Sequence, residues 1–310
     1  MKNSIIVEIS EGLGNQLFMY AHSYALAQRK NIDLLIDDTS GFFKKKNKLR
    51  GQKYLLHHFM LEENIASSNL KVNNYYSLFV RKLMIFFDTF KNKKSFLIEK
   101  DFINKFNKNT NYSDYLNKIN FKKNVHIKGN YEDELFFISN RNELKKIFTI
   151  HDKYQSTNSQ LINLMKNTNS VSIHVRQNRF SDQNFMLNKI SLSKKSKMFT
   201  EKNLKYIDKS IEYLNSKFND LTYFVWSNDF NGLENYFLKY KKNKIYFVKN
   251  NNVINDFDLL KYPKYFIVGP STFHWWGAWL NDNENKVCLC PKDINPSNNI
   301  NFWPKNWIKI

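Results

Sequence analysis

The feature that most narrows the folds open to this chain is an alternation, in its second half, of short β-rich runs with stretches of helical periodicity. Strands are predicted at residues 171–175, 222–226, 244–248, 265–268 and 286–289, with helical spacing between several of them, as over 204–218. Strands alternating with helices imply a parallel sheet covered by helices, which takes its ligands beyond the carboxyl ends of the strands. The residues found there are His174 and Arg176 after the first strand, Ser227-Asn228-Asp229 after the second and Gly269-Pro270-Ser271-Thr272 after the fourth. The first half begins the same way. A strand at 5–9 runs into Glu11-Gly12-Leu13-Gly14-Asn15-Gln16, helical spacing follows from Leu17, and a strand at 34–36 ends in Asp37-Asp38. A further strand at 125–127 leads into Gly129-Asn130-Tyr131, and 133–148 reads as one helical segment. The expected architecture is α/β with two domains, 1–150 and 151–310, and a cleft between them.

At 310 residues the chain can bury a sizeable core. No apolar run approaches the roughly 20 residues that span a bilayer, and the opening run is broken too early by Glu8 for a signal peptide, so a cytoplasmic location is expected. The net charge of +20 favours anionic partners, but Lys and Asn are abundant throughout, and the aromatic residues follow core spacing and form no base-stacking platform; nucleic acid is not an expected partner. One stretch, 78–87, is basic and apolar together. It reads either as a segment packed on its domain or as a peripheral contact with an anionic membrane surface. The two cysteines, Cys288 and Cys290, share one face of a strand and are read as structural.

Four segments could carry chemistry. Val171, Ile173 and Val175 point to one side of their strand, so Ser172, His174 and Arg176 share the other. An arginine at a strand tip suits a diphosphate, because its planar fork donates two hydrogen bonds and its charge is permanent. Ser271 or Thr272 is placed to cap a helix whose amino end favours phosphate, while the tryptophans that follow read as packing. Gly12-Leu13-Gly14-Asn15-Gln16 is read as a flexible loop near a ligand, but Leu17 stands where a dinucleotide fingerprint needs its third glycine, which disfavours redox chemistry. Asp256-Phe257-Asp258 has the spacing of a metal-binding pair, yet on a helix its carboxylates splay apart, so no metal is expected.

Together these segments resemble the bacterial α-1,2-fucosyltransferases of glycosyltransferase family eleven. Glu11 to Ala21 is similar to the family's GGLGNQMFQYA, and His174-Val175-Arg176 to the start of its HVRRGDY. Val225 to Asp229 resembles its FSDD-like stretch, and Ser271 to Leu280 resembles SSFSWWGAWL. The resemblance implies a GT-B fold, two Rossmann-like domains facing across a cleft, with an acceptor-side domain first and a donor-binding domain second. It implies an inverting, metal-independent transfer of L-fucose from GDP-β-L-fucose, a co-substrate and not a cofactor, to the 2-hydroxyl of a galactoside in a surface glycan such as O-antigen, built on a lipid carrier at the inner membrane face. Arg176 would bind the donor's diphosphate, with Ser271, Thr272 and Phe273 at the phosphates and His174 shaping the nucleotide pocket. Asn228 and Asp229 are candidates for the guanine, and Gly14, Asn15 and Gln16 would lie toward the sugar or the incoming hydroxyl. Arg176, Asn15 and Glu11 are the catalytic candidates; Glu11, His22, Asp37 and Asp182 are the carboxylates and imidazole able to take the hydroxyl's proton. Two departures stand out. Gln177-Asn178-Arg179-Phe180 replaces the family's Arg-Gly-Asp-Tyr, and Glu11 replaces a glycine. They leave room for another GDP-linked deoxysugar as donor, or for a relative that binds without catalysis.

Overall fold

The computed structural model describes residues 3–43, 52–91, 93–100, 120–180, 189–297 and 299–310. The chain divides into two compact units, Met1–Thr149 and Ile150–Ile310.

In the first unit, β1 (Ser4–Glu8) is followed by α1 (Leu13–Lys30), β2 (Asp33–Asp37), α2 (Ser40–Phe43), α3 (Tyr75–Asp88), β3 (Lys93–Ile98), β4 (Asn120–Lys128) and α4 (Arg141–Ile147). The strands form a sheet of order β2-β1-β4-β3, parallel throughout. β1 is central and buried, as its Ile5-Ile6-Val7 core predicts. Helix α1 stops at Asn31, whose left-handed backbone returns its N–H to the carbonyls of Ala27 and Gln28, while Arg29 and Lys30 in the last turn complement the helix dipole.

Three expectations change here. Helix α1 begins at Leu13 on an extended Gly12, so Gly14, Asn15 and Gln16 lie in its first turn and not in a flexible loop. The segment 133–148 is not one helix. Phe137, at φ −139° and ψ 5°, separates two short 3-10 turns, Glu134–Phe136 and Ile138–Asn140, before α4 starts. That break lets consecutive rings be buried, Phe136 against His22 and Tyr131, Phe137 against Phe18. Strand β3 was not foreseen, because its sequence, Lys-Lys-Ser-Phe-Leu-Ile, is that of an edge strand with charge at one end.

In the second unit α5 (Ser159–Asn167) leads into β5 (Asn169–Val175), α6 (Lys189–Asn215), β6 (Leu221–Ser227), α7 (Leu233–Phe237) and β7 (Lys244–Phe247). Then come α8 (Val253–Leu259), β8 (Tyr265–Ile267), α9 (Thr272–Leu280), β9 (Val287–Cys290) and β10 (Ile308–Lys309). All six strands are parallel, in the order β10-β9-β8-β5-β6-β7. Counted from β5, this is the third-second-first-fourth-fifth-sixth order of doubly wound nucleotide-binding sheets, and the order reverses between β5 and β8. One face buries Val171, Ile173 and Val175 under Tyr206, Ile207, Ile211 and Leu214 of α6. The three tryptophans of α9, Trp275, Trp276 and Trp279, are packed in the core, as expected, and Trp275 Nε1 donates to the Phe302 carbonyl at 2.9 Å. Cys288 and Cys290 are buried and free, and burial raises the Cys290 thiol to about 12.

Candidate active site

A sheet whose strand order reverses leaves a crevice at the carboxyl ends of the two strands that diverge. In the second unit those strands are β5 and β8. The chain leaves β5 through His174-Val175-Arg176 and leaves β8 through Val268-Gly269-Pro270-Ser271 into α9. The two exits lie against each other. A Cβ on Gly269 would fall 2.1 Å from the His174 carbonyl oxygen, so only glycine permits the contact.

Two histidines line this seam on the face opposite α6. His274 Nδ1 accepts from the Gly269 N–H at 3.2 Å, so its Nε2 carries the proton and donates to Ser172 Oγ at 2.5 Å. Burial, then the neighbouring His174, hold His274 well below the usual imidazole range. His174 lies 5.4 Å from His274 and 6.3 Å from Phe273 between ring centroids. Burial, then Arg176, lower it from 6.5 to about 3. Its Nδ1 is buried and makes no hydrogen bond. Both rings are therefore neutral, and positive charge at this edge comes from the arginines.

Ser271 is the N-cap of α9 by position, but its side chain makes no capping hydrogen bond. The first-turn N–H groups, and the positive end of the helix dipole, stand at the seam. Thr272 and Phe273 are the first helical residues and are half-buried. Sequence reasoning missed a second cation here. Arg179 donates to the carbonyls of Pro270 at 3.3 Å and Pro296 at 2.8 Å, and its guanidinium packs over Phe199 and Phe180. The signal was present, an arginine displaced from the family's second position by two residues.

The unusual sequence after Arg176 has a local explanation. Asn178 takes a left-handed backbone, φ 53°, at the position where the family has glycine, and asparagine tolerates that region better than most residues. Gln177 and Asn178 tie the loop to the end of β6. Gln177 N donates to Asn228 Oδ1, Asn228 Nδ2 to the Gln177 carbonyl, Gln177 Nε2 to the Asp229 carbonyl and Asn178 Nδ2 to Asp229 Oδ2. The Asp229 carboxylate also caps Asn231 N at 2.9 Å. Asn228 and Asp229 thus brace the β5 loop, with Asn228 exposed at the end of β6.

In the first unit the reversal lies between β1 and β4. Glu11 leaves β1 with a left-handed backbone, φ 68°, which accounts for glycine at that place in the family, and its carboxylate accepts from Asn15 Nδ2. Gln16 does not face a ligand. It is fully buried, donating to the carbonyls of Glu11 (2.9 Å) and Lys53 (2.8 Å) and accepting from Leu55 N (2.9 Å), so it holds the 53–55 segment against the helix start. Gly14 is buried within the same turn. Of the proton acceptors considered, His22 is a core residue stacked on Tyr131 at 3.6 Å and lowered by burial to about 3. Asp37 is buried and caps Thr39 and Ser40, accepting from both N–H groups and from Ser40 Oγ. Asp182 lies outside the described residues. The structure adds Glu99, whose carboxylate accepts from Asn130 N (2.7 Å) and Tyr131 N (2.8 Å), with burial and then Glu11 acting to raise its pKa.

Asp256 and Asp258 diverge on α8, as their spacing on a helix requires. Asp256 accepts from Asn251 Nδ2 at 3.0 Å, and Asp258 from Ser156 N at 2.9 Å and Lys261 Nζ at 2.7 Å. Among the described residues no group of three or more His, Cys, Asp or Glu could hold a metal ion.

The family described as Glycosyl transferase family 11 matches residues 4–310. An Alpha-1,2-colitosyltransferase of Escherichia coli is 29% identical over 325 aligned residues, covering 99% of this chain and 98% of that protein. The O-antigen biosynthesis glycosyltransferase WbnK of Escherichia coli is 25% identical, covering 94% and 95%. Among solved structures, fucosyltransferase NodZ from Bradyrhizobium aligns with a TM-score of 0.47 at 12% identity, covering 91% of this chain and 94% of that one.

Proposed function

The chain belongs to glycosyl transferase family 11, and from that premise we propose that it transfers L-fucose from GDP-β-L-fucose to a hydroxyl of a surface glycan, inverting the anomeric centre. The observation that carries this reading is the seam at the β5/β8 reversal, where the Arg176 strand end, Arg179 and the start of α9 meet beside an unpartnered His174 nitrogen. The acceptor oxygen attacks the anomeric carbon as the bond to the diphosphate oxygen breaks, and the hydroxyl's proton leaves to a base or to water. Negative charge grows on the diphosphate. Arg176 and the α9 amino end meet it without reorganising, and no metal enters the proposed step. Ser271, Thr272 and Phe273 line the phosphates, His174 borders the nucleotide, and Asn15, held by Glu11, faces the acceptor. Residues 151–310 bind the donor and 1–150 the acceptor, and the 2-hydroxyl of an O-antigen galactoside is the acceptor group. The relative named for O-antigen biosynthesis supports that glycan class.

A second reading has a specific motive. The relative named as a colitosyltransferase supports a donor carrying colitose, which is fucose without its 3-hydroxyl. Calorimetry with GDP followed by product analysis on GDP-fucose and GDP-colitose separates the two. A site that hydrogen-bonds the 3-hydroxyl discriminates against the deoxy donor by orders of magnitude, because its polar groups would be left unpaired. GDP binding with preferential turnover of GDP-fucose is expected. Preferential turnover of GDP-colitose would move the assignment to the second sugar, and absence of GDP binding would remove both.

A further inference from the structure

Helix α3 is built in reverse for the surface of a water-soluble unit. Asp88 is its one buried residue, and its carboxylate accepts from the backbone N–H groups of Ser95 and Phe96. Arg81 Nη2 donates to the Leu70 carbonyl at 2.6 Å and its guanidinium lies over Phe96 at 5.9 Å. An Asn74–Ser77 capping box fixes the amino end. The helix is thus held to its unit by these polar groups and by half-buried Leu78, Val80 and Ile85, while most of its rings point outward. Tyr76 is 77% exposed, Phe79 59%, Phe86 58%, and Phe90, in the turn beyond the helix, 76%. Phe79, Leu83, Phe86 and Phe90 follow at intervals of four, three and four residues, which makes one continuous ridge. An apolar ridge of this length left in water marks an interaction surface.

Its flanks say what kind. Lys82, Lys91 and Lys93 are exposed, and from Asn74 to Ile98 the only acid is the buried Asp88. A two-fold contact with a second copy through this ridge would set these lysines against their own mates without a local acid to pair them. Anionic headgroups complement them, and aromatic and leucine side chains flanked by lysine are the composition of helices that lie in a membrane interface. No helix among the described residues is long and apolar enough to cross a membrane, so contact through α3 would be from one side. We propose that the α3 ridge docks the protein on an anionic phospholipid bilayer, with Phe79, Leu83, Phe86 and Phe90 at the acyl boundary and Lys82, Lys91 and Lys93 at the headgroup phosphates.

The test is co-sedimentation of the full chain, at low and high salt, with vesicles of phosphatidylglycerol and phosphatidylethanolamine, and with phosphatidylcholine alone. Binding to the anionic vesicles that weakens with salt is expected. Phe79→Ser/Leu83→Ser/Phe90→Ser and Lys82→Gln/Lys91→Gln/Lys93→Gln should each lower partitioning on the order of 10- to 100-fold. Since every substituted side chain is exposed, melting and circular dichroism should stay unchanged. Independently, Phe79→Cys carrying an environment-sensitive fluorophore should shift to the blue on anionic vesicles. The proposal is overturned if the wild-type chain stays in the supernatant with anionic vesicles at low salt. Partitioning that neither triple variant lowers, or a label that does not shift, overturns it too. So does a wild-type dimer that the apolar triple variant converts to monomer, since the ridge would then serve a second copy. None of these readouts depends on sugar transfer.

Discussion

In the first sheet the strands at the order reversal, β1 and β4, end in Glu11 and in a Gly129–Tyr131 turn clamped by Glu99, whereas in the second the corresponding strands, β5 and β8, end in His174, Arg176 and the start of α9. The plan is the same and the charge is opposite. Each reversal contains a glycine where a side chain would collide with the neighbouring strand exit: Gly129 against Glu99, Gly269 against His174. Carboxylates repel a diphosphate but accept hydrogen bonds from sugar hydroxyls, while guanidinium groups and a helix amino end favour phosphate. One topology thus carries two electrostatic environments, and the few residues just past the strands decide which.

The largest expected effect is in acid, and it falls on both units. A histidine whose folded pKa is depressed binds fewer protons folded than unfolded, so its contribution is full above pH 6.5 and is lost as the pH falls from there toward the folded value. His174 (about 3) and His274 act this way in the second unit, and His22 and His126 (both about 3) in the first, each at up to about 1.4 kcal/mol per pH unit. Raised carboxylates work in the opposite direction, since the folded state then binds the proton better. The first unit has Asp37 and Glu99, the second Asp256. Hydrogen exchange from pH 7 to 5 should therefore show both units losing protection. A unit whose protection is unchanged over that range would take its buried histidines out of this account.

Next in size is Arg176→Ala, which removes the fixed cation from the second reversal and should lower kcat on the order of 10- to 100-fold. Steady-state kinetics with the donor found above would read it, and unchanged turnover would take Arg176 out of the mechanism. Gly269→Ala should destabilise the second unit by ~1–3 kcal/mol, because the intruding methyl meets a backbone oxygen that cannot step aside. Gly129→Ala should do likewise to the first, at φ 148°. Chemical denaturation measures both, and a neutral result at either would show that the strand exits can part. Asn178→Ala should cost about 1 kcal/mol through its left-handed backbone and the lost Asp229 contact, and Asn178→Gly less. A thermal melt of the pair distinguishes backbone strain from that hydrogen bond. The smallest effect, none, is expected of EDTA on transfer; a strict manganese requirement would replace the guanidinium-and-helix account of charge neutralisation.

Much of this was legible before the fold. The alternation around Val171, Ile173 and Val175 assigned Ser172 and His174 to the other face, and the strand ends carried the residues that now flank the seam. Helix α9 and its tryptophans were readable from a cap signal and an apolar run. Gln16 was misread because its partners lie 37 and 39 residues away, at Lys53 and Leu55. The bracing of the β5 loop by Asn228 and Asp229 was hidden for a similar reason, since their partners Gln177 and Asn178 are about fifty residues earlier.

What the sequence alone determined was most of the strands, the face their side chains take and the types of group at the strand ends, because these follow from period-two alternation and turn chemistry within a few residues. The tertiary structure alone decided which ends meet. Strand order places β8 beside β5, closes Gly269 onto His174, brings Arg179 to Pro270 and leaves the rings of α3 facing out. Those contacts depend on how distant segments bury one another, and local periodicity carries no record of that.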